Sequence, residues 1–170
     1  VRFAWTEEML LFYVEVEDSF CGPEYVVHKN VWEGNNIEFL IAPRWYSEPY
    51  QDEYEFLFNC LKGYADLHWV DGAGLDASLL WDAEEIEYRT YDYLSFHSES
   101  SGWALQGRIP FRVFDMDTPR NNEQWGLGIF RCHFNQDMSG RLYLAWSPPL
   151  TDPPRFHTPQ KFGILHFKRL

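Results

Sequence analysis

The feature that most constrains this chain is its alternation. No long amphipathic 3.6-residue pattern with caps occurs anywhere, and short segments of period two are separated by glycine, proline, asparagine and aspartate. In the stretch from Leu10 to Glu17, Leu10, Phe12, Val14 and Val16 take one face while Glu15 and Glu17 take the other. Cys21-Gly22-Pro23 supplies turn chemistry after it. Asn35-Asn36 opens a second strand, Ile37 to Ala42, which Pro43 stops. A third runs from Tyr54 to Leu61, with Phe56 and Phe58 opposite Glu55, Leu57 and Asn59.

Further along, Asp71 to Asp76 reads as a loop with two glycines, and Glu84 to Phe96 as a loosely alternating strand. Trp103 to Pro110 is a short strand that Phe111 to Phe114 continues past a proline suited to an edge or bend. Trp125 to Phe134, Leu142 to Trp146 and Ile164 to Lys168 complete the set. The run from Pro148 to Pro154 holds four prolines and crosses the surface as a stiff loop. Many short strands at turn-punctuated spacing predict an all-β fold, an antiparallel β-sandwich of jelly-roll or immunoglobulin-like type. With 170 residues and neither a repeat nor a linker, residues 1–170 are expected to form one domain.

Composition narrows the function. Aromatics make up 19% of the chain, with 8 Trp, 10 Tyr and 14 Phe, more than one small core needs and enough to furnish a binding face. The net charge of −12, with no cluster of lysine or arginine, argues against nucleic acid and is compatible with a neutral glycan or a cation. No apolar run approaches the ~18 residues of a membrane span. The sequence opens on Val1 without a start methionine or signal-peptide pattern, as expected of a processed product or a segment of a larger protein.

Cys21, Cys60 and Cys132 have no metal-ligand spacing. One disulfide plus one free thiol is one reading, three buried thiols the other, and the spacing does not choose a pair. Asp115 and Asp117, followed by Asn121, Asn122 and Glu123, offer oxygen donors of the kind calcium takes. No nucleophile elbow, zinc-protease motif, phosphate loop or singled-out carboxylate pair marks an enzyme.

Five stretches, in order, resemble the family 9 carbohydrate-binding modules and their family 9-like group. They are Trp5 through Asp18 (WTEEMLLFYVEVED), Val31 through Phe39 (VWEGNNIEF), Tyr54 through Asn59 (YEFLFN), Trp103 through Phe111 (WALQGRIPF), and Trp146 to Phe167. The last contains WSPP and then Phe156-His157-Thr158-Pro159-Gln160-Lys161-Phe162-Gly163, the most specific of the five. Together they extend across nearly the whole chain.

The resemblance implies a β-sandwich, often with structural calcium, that grips sugar rings between two aromatic side chains without catalysing a reaction. Trp32 matches one of those aromatics, and Phe156 stands where the other is tryptophan. Glu38 and Asn59 match residues that hydrogen-bond sugar hydroxyls. Asn35 replaces the usual aspartate. Leu57 replaces an arginine of the better-known members, which removes a basis for expecting reducing-end specificity. The strands that precede Trp5 in the family are short or absent, which implies a fold trimmed at its amino end.

Sugar recognition needs flat apolar surface for the ring face and polar groups for the hydroxyl rim. Trp32, beside Gly34 and two asparagines, is expected to be exposed, with a core tryptophan as the alternative. Phe156 serves either as a second platform or as a staple for the proline-rich loop. His157 either donates to a hydroxyl or ties down backbone carbonyls. Glu38 falls on the non-core face of its strand. Arg131 alternates with Phe130 and Cys132 and is expected on the ligand face, with a solvated arginine as the alternative.

The expected partner is therefore an oligo- or polysaccharide, the setting extracellular, and the parent a larger secreted glycan-active protein. Rival readings are a structural or adhesive sandwich without sugar binding, and a haem-binding cytochrome-type sandwich using Met116 or Met138 with a histidine.

Overall fold

The computed structural model describes residues 1–18, 20–22, 28–44, 46, 52–70, 81–83, 85–94 and 101–169. Pro23, the glycine loop from Asp71 to Asp76, and Glu84, Ser95 and Phe96 at the limits of one expected strand lie outside these residues.

Among the described residues, ten strands form two antiparallel sheets. They are β1 (Arg2–Trp5), β2 (Met9–Val16), β3 (Asn36–Ala42), β4 (Asp52–Phe58), β5 (Tyr64–Val70), β6 (Glu87–Leu94), β7 (Ser101–Pro110), β8 (Gln124–Phe134), β9 (Arg141–Ala145) and β10 (Gly163–His166). The smaller sheet has the order β1-β2-β7-β6, and the larger β10-β8-β3-β4-β5 with β9 also paired to β8. The expected β-sandwich is the observed architecture. Among the described residues no helix is long and apolar enough to cross a membrane.

The alternation read from the sequence builds the core. Leu10, Phe12, Val14 and Val16 from β2 meet Ile37, Phe39 and Ile41 from β3 and Tyr54, Phe56 and Phe58 from β4, all buried. Phe12 meets Phe39 edge-to-face with ring centroids 5.3 Å apart. Such pairs add about 0.5–1.5 kcal/mol beyond area burial. Trp125 and Phe167 close one end of the same core at 4.9 Å.

Two local expectations are corrected. Phe111–Phe114 is a 3-10 helix and not a continued strand. Pro110 has no N–H to extend the ladder, and Phe111 and Phe114 bury at a spacing of three, the period of a 3-10 turn. The third strand stops at Phe58 rather than Leu61. There Asn59 N–H bonds Gly63 O at 3.2 Å while its side-chain Oδ1 accepts from Gly63 N–H at 2.7 Å, closing a turn.

Cys21 and Cys60 form a disulfide across 39 residues, and Cys132 is a buried free thiol. The pairing that the spacing leaves open is thus resolved.

Candidate functional site

Register places the site. In the larger sheet Glu38 pairs with Leu57 on one side and Phe130 on the other, and Leu40 pairs with Glu55 and Gly128. These residues share the face turned away from the core. That face is nevertheless largely covered. The 3-10 helix His28–Glu33 lays Val31 on Leu57, Ala65 and Leu67, with Trp69 packed against them. The proline-rich segment folds over the rest and stacks Phe156 on Phe130 at 4.1 Å and 14°. Phe130 lies flat because Gly128 beneath it has no side chain: a Cβ there would come within 2.3 Å of the Phe130 ring.

Between these covers lies a pocket of about 480 Å3 lined by Glu38, Cys132, Arg141, Tyr143, Arg155 and Phe156, with Pro154 and His157. Glu38 is 5% exposed and accepts from the Cys132 thiol at 3.5 Å. Burial, reinforced by the charge of Glu55, pushes its carboxyl up to about 8. The Cys132 thiol is pushed up to about 12, first by burial and then by Glu38. Arg141 stacks over Phe134 and Tyr143, 4.9 and 4.6 Å from the ring centres. Its Nη2 donates to Cys132 Sγ at 3.0 Å and Trp32 O at 3.3 Å. Tyr143 meets Phe156 edge-on at 5.5 Å.

Beneath His157 lies a second layer. Its Nδ1 is 2.6 Å from Glu53 Oε1 and its Nε2 is 3.6 Å from Glu55 Oε2. Trp69 Nε1 donates to Glu55 Oε2 at 3.0 Å, and the Trp69 ring lies 4.3 Å from the imidazole. Burial raises Glu55, against the opposing effects of His157 and Trp69.

Of the six expected ligand residues, Glu38, Phe156 and His157 come together in this pocket. Trp32 stands beside it on the 3-10 helix, 36% exposed, linked through its carbonyl to Arg141. Asn59 is fully buried in its turn. Arg131 lies on the opposite face from Glu38, in the row of Ile37, and pairs with Asp18 and with His133 at 3.2 Å. Asn35 is buried, its Nδ2 donating to Phe20 O at 2.6 Å and its Oδ1 accepting from Phe134 N–H.

In the acidic loop several of the oxygens expected to take calcium are engaged within the protein. Glu123 accepts from Arg120 N–H and Trp125 Nε1 with its two oxygens, and Asn121 Oδ1 accepts from Arg169 N–H. Arg44 and Arg120 line the same hollow as Asp115 and Asp117. No three His, Cys, Asp or Glu side chains converge as a metal site among the described residues. These donors do not fit a calcium ion, and no role is assigned to one.

Arg141, Tyr143, Glu53, Glu55 and Trp69 were not singled out from the sequence. Glu53 and Glu55 alternate with Tyr54 and Phe56, which assigns them to the non-core face. That signal becomes informative only with the register to β3.

No family model matches the chain, and no curated protein matches it. Solved structures do match its fold. A candidate carbohydrate-binding protein from Bacteroides uniformis superposes with a TM-score of 0.72 at 20% identity, over 98% of this chain and 77% of that one. A family 9 carbohydrate-binding module from Caldicellulosiruptor kristjanssonii in complex with cellotriose gives 0.69 at 15% identity, covering 98% and 72%. Its family namesake from the same organism in complex with glucose gives 0.68 at 12%, covering 99% and 76%. At these identities the likeness establishes the fold.

Proposed function

We propose that this chain is a non-catalytic saccharide-binding domain and that its site is the pocket bounded by β3, β8, β9 and the segment 154–157. One observation carries the reading. A single pocket joins a buried carboxyl, Glu38, to the aromatic walls Tyr143 and Phe156 and the donors Arg141 and His157. The fold is that of structures described in complex with cellotriose and glucose.

The chemistry matches a sugar. The rings of Tyr143 and Phe156 give apolar surface for the C–H face of a pyranose, and the exposed indole of Trp32 extends it at the rim. Rigid aromatic rings lose little conformational entropy on binding. Arg141, Arg155 and His157 donate to ring hydroxyls, and each bond to a charged group contributes about 1.5–3 kcal/mol. A volume near 480 Å3 falls within the range of small-ligand sites. The Cys21–Cys60 disulfide supports an extracellular setting, where such bonds persist. The partner is an oligo- or polysaccharide, and the domain serves a larger glycan-active protein.

A glycan array on the purified domain, repeated with Trp32→Ala and Phe156→Ala, tests this. Hits that both substitutions weaken are expected. Absence of any hit with the wild-type domain would leave a structural sandwich as the better description.

A further inference from the structure

The charge inside the pocket runs against the charge of the chain. The protein carries −12, yet the charged residues lining the pocket are Arg141, Arg155 and His157 against the single carboxyl Glu38. Arg44, Arg108, Arg112 and Arg131 each pair with a carboxylate. Among the described residues Arg141 and Arg155 form no ion pair, as is also true of Arg2, Arg89, Arg120 and Arg169, but these two line one pocket together. Two guanidinium groups thus meet in one concave site with Glu38 as the single carboxyl in its lining, and the excess of positive charge there suits an anionic group on a ligand.

Arg141 is also held in place. The Phe134 and Tyr143 rings and the acceptors Trp32 O and Cys132 Sγ fix its guanidinium. Arg155 is held through its backbone: its N–H donates to Thr151 Oγ1 at 2.8 Å, and its carbonyl accepts from Thr158 Oγ1 at 2.9 Å. The Arg141 guanidinium, pre-positioned in this way, loses less freedom on binding and matches the fork of a carboxylate.

We propose that the saccharide taken by this pocket carries a carboxylate, a uronic-acid unit, with Arg141 and Arg155 as its counter-charges. This rests on the saccharide reading above and names the class of sugar. A neutral sugar would leave both guanidinium charges uncompensated; a uronate pairs them. Burial disfavours the charged form of Glu38, which weakens the opposition this carboxyl offers to an anion. His157, raised to about 9, adds a further positive charge, although Glu53 and Glu55 beneath it offset part of that field.

The test is calorimetric titration of the whole chain at pH 7 with matched pairs: glucose and glucuronate, galactose and galacturonate, and xylo-oligosaccharides with and without a glucuronosyl branch. At least one acidic member is expected to bind about tenfold tighter than its neutral partner, the gain of one charge-assisted contact. Arg155→Gln and Arg141→Gln are each expected to lower the acidic affinity more than the neutral one. Thermal midpoints of both variants confirm folding, and Arg155→Gln keeps the test valid should Arg141→Gln unfold. Neutral sugars binding as tightly as their acidic partners, or an acidic preference surviving both substitutions, would overturn the inference and leave saccharide binding standing. No binding by any sugar would overturn both.

Discussion

His157 Nδ1 lies 2.6 Å from Glu53 Oε1 and joins the proline-rich segment to β4 across 104 residues of chain. Burial disfavours charge on this imidazole, but the Glu53 hydrogen bond and the fields of Glu55, Glu53 and Glu38 outweigh it and lift its pKa from 6.5 to about 9. Its contribution to stability is therefore fully present below 6.5 and lost as pH rises through 9. Glu38, lifted from 4.5 to about 8, also binds its proton more tightly in the folded state, so stability falls across that window too. The thermal midpoint should decline steadily between about pH 5 and pH 9, as calorimetry would show, and Glu38→Gln should flatten the part below pH 8. A level profile would mean that the cluster does not hold these protons.

Removing the imidazole isolates buried acids. The Glu53 and Glu55 side chains are 3% and 7% exposed, whereas that of His157 is 40% exposed and its pairing is partly screened. His157→Ala should cost about 1–2 kcal/mol in urea unfolding. Glu53→Gln in that background should add little, giving a coupling energy that independent sites would not show.

The Phe130–Phe156 stack has no room for a side chain at Gly128. Gly128→Ala should displace the Phe130 ring, cost about 1–3 kcal/mol and weaken saccharide binding through the moved Phe156. Phe156→Ala should cost a comparable amount with a larger loss of binding, because it deletes the wall itself. Unfolding and titration of the two variants side by side would separate the effects.

The disulfide closes a loop with a sequence separation of 39. Loop-closure entropy assigns it about 4 kcal/mol. Replacing both Cys21 and Cys60 with serine should lower the thermal midpoint by roughly 10 °C or more for a domain of this size. Cys132, by contrast, should react slowly with a thiol reagent until the protein unfolds, since its burial and high pKa suppress the thiolate.

Much of the fold is written in local alternation. β2 has its hydrophobic residues at every second position, and the same rule delivers β3, β4 and β8. β5 escaped it because both its faces are mixed: Ala65, Leu67 and Trp69 alternate with Tyr64, Asp66 and His68. Phe111 and Phe114 misled for a different reason, since four residues do not separate a period of two from a period of three.

For the site, the family resemblance points to Trp32, Glu38, Asn59 and Phe156 and side-chain chemistry to His157, of which Glu38, Phe156 and His157 line one pocket. Glu53, Glu55 and Arg141 required two things that no local pattern carries: the register Glu38 to Leu57 and the path of the covering segment. Burial of Glu38 on a non-core face has the same origin. Alternation assigns a residue to a face and says nothing of what later lies over it.

The distance in sequence between Glu38 and His157 also matters for how the protein is made. Chain synthesis completes β3 and β4 well before the segment that covers them. Until that segment emerges, the outer face offers Glu38, Glu53 and Glu55 to water, where they ionise freely. Like charges spread over that face would oppose face-to-face association of the still uncovered sheet with copies of itself. The acids become part of a binding pocket only when the finished chain folds its last residues across them.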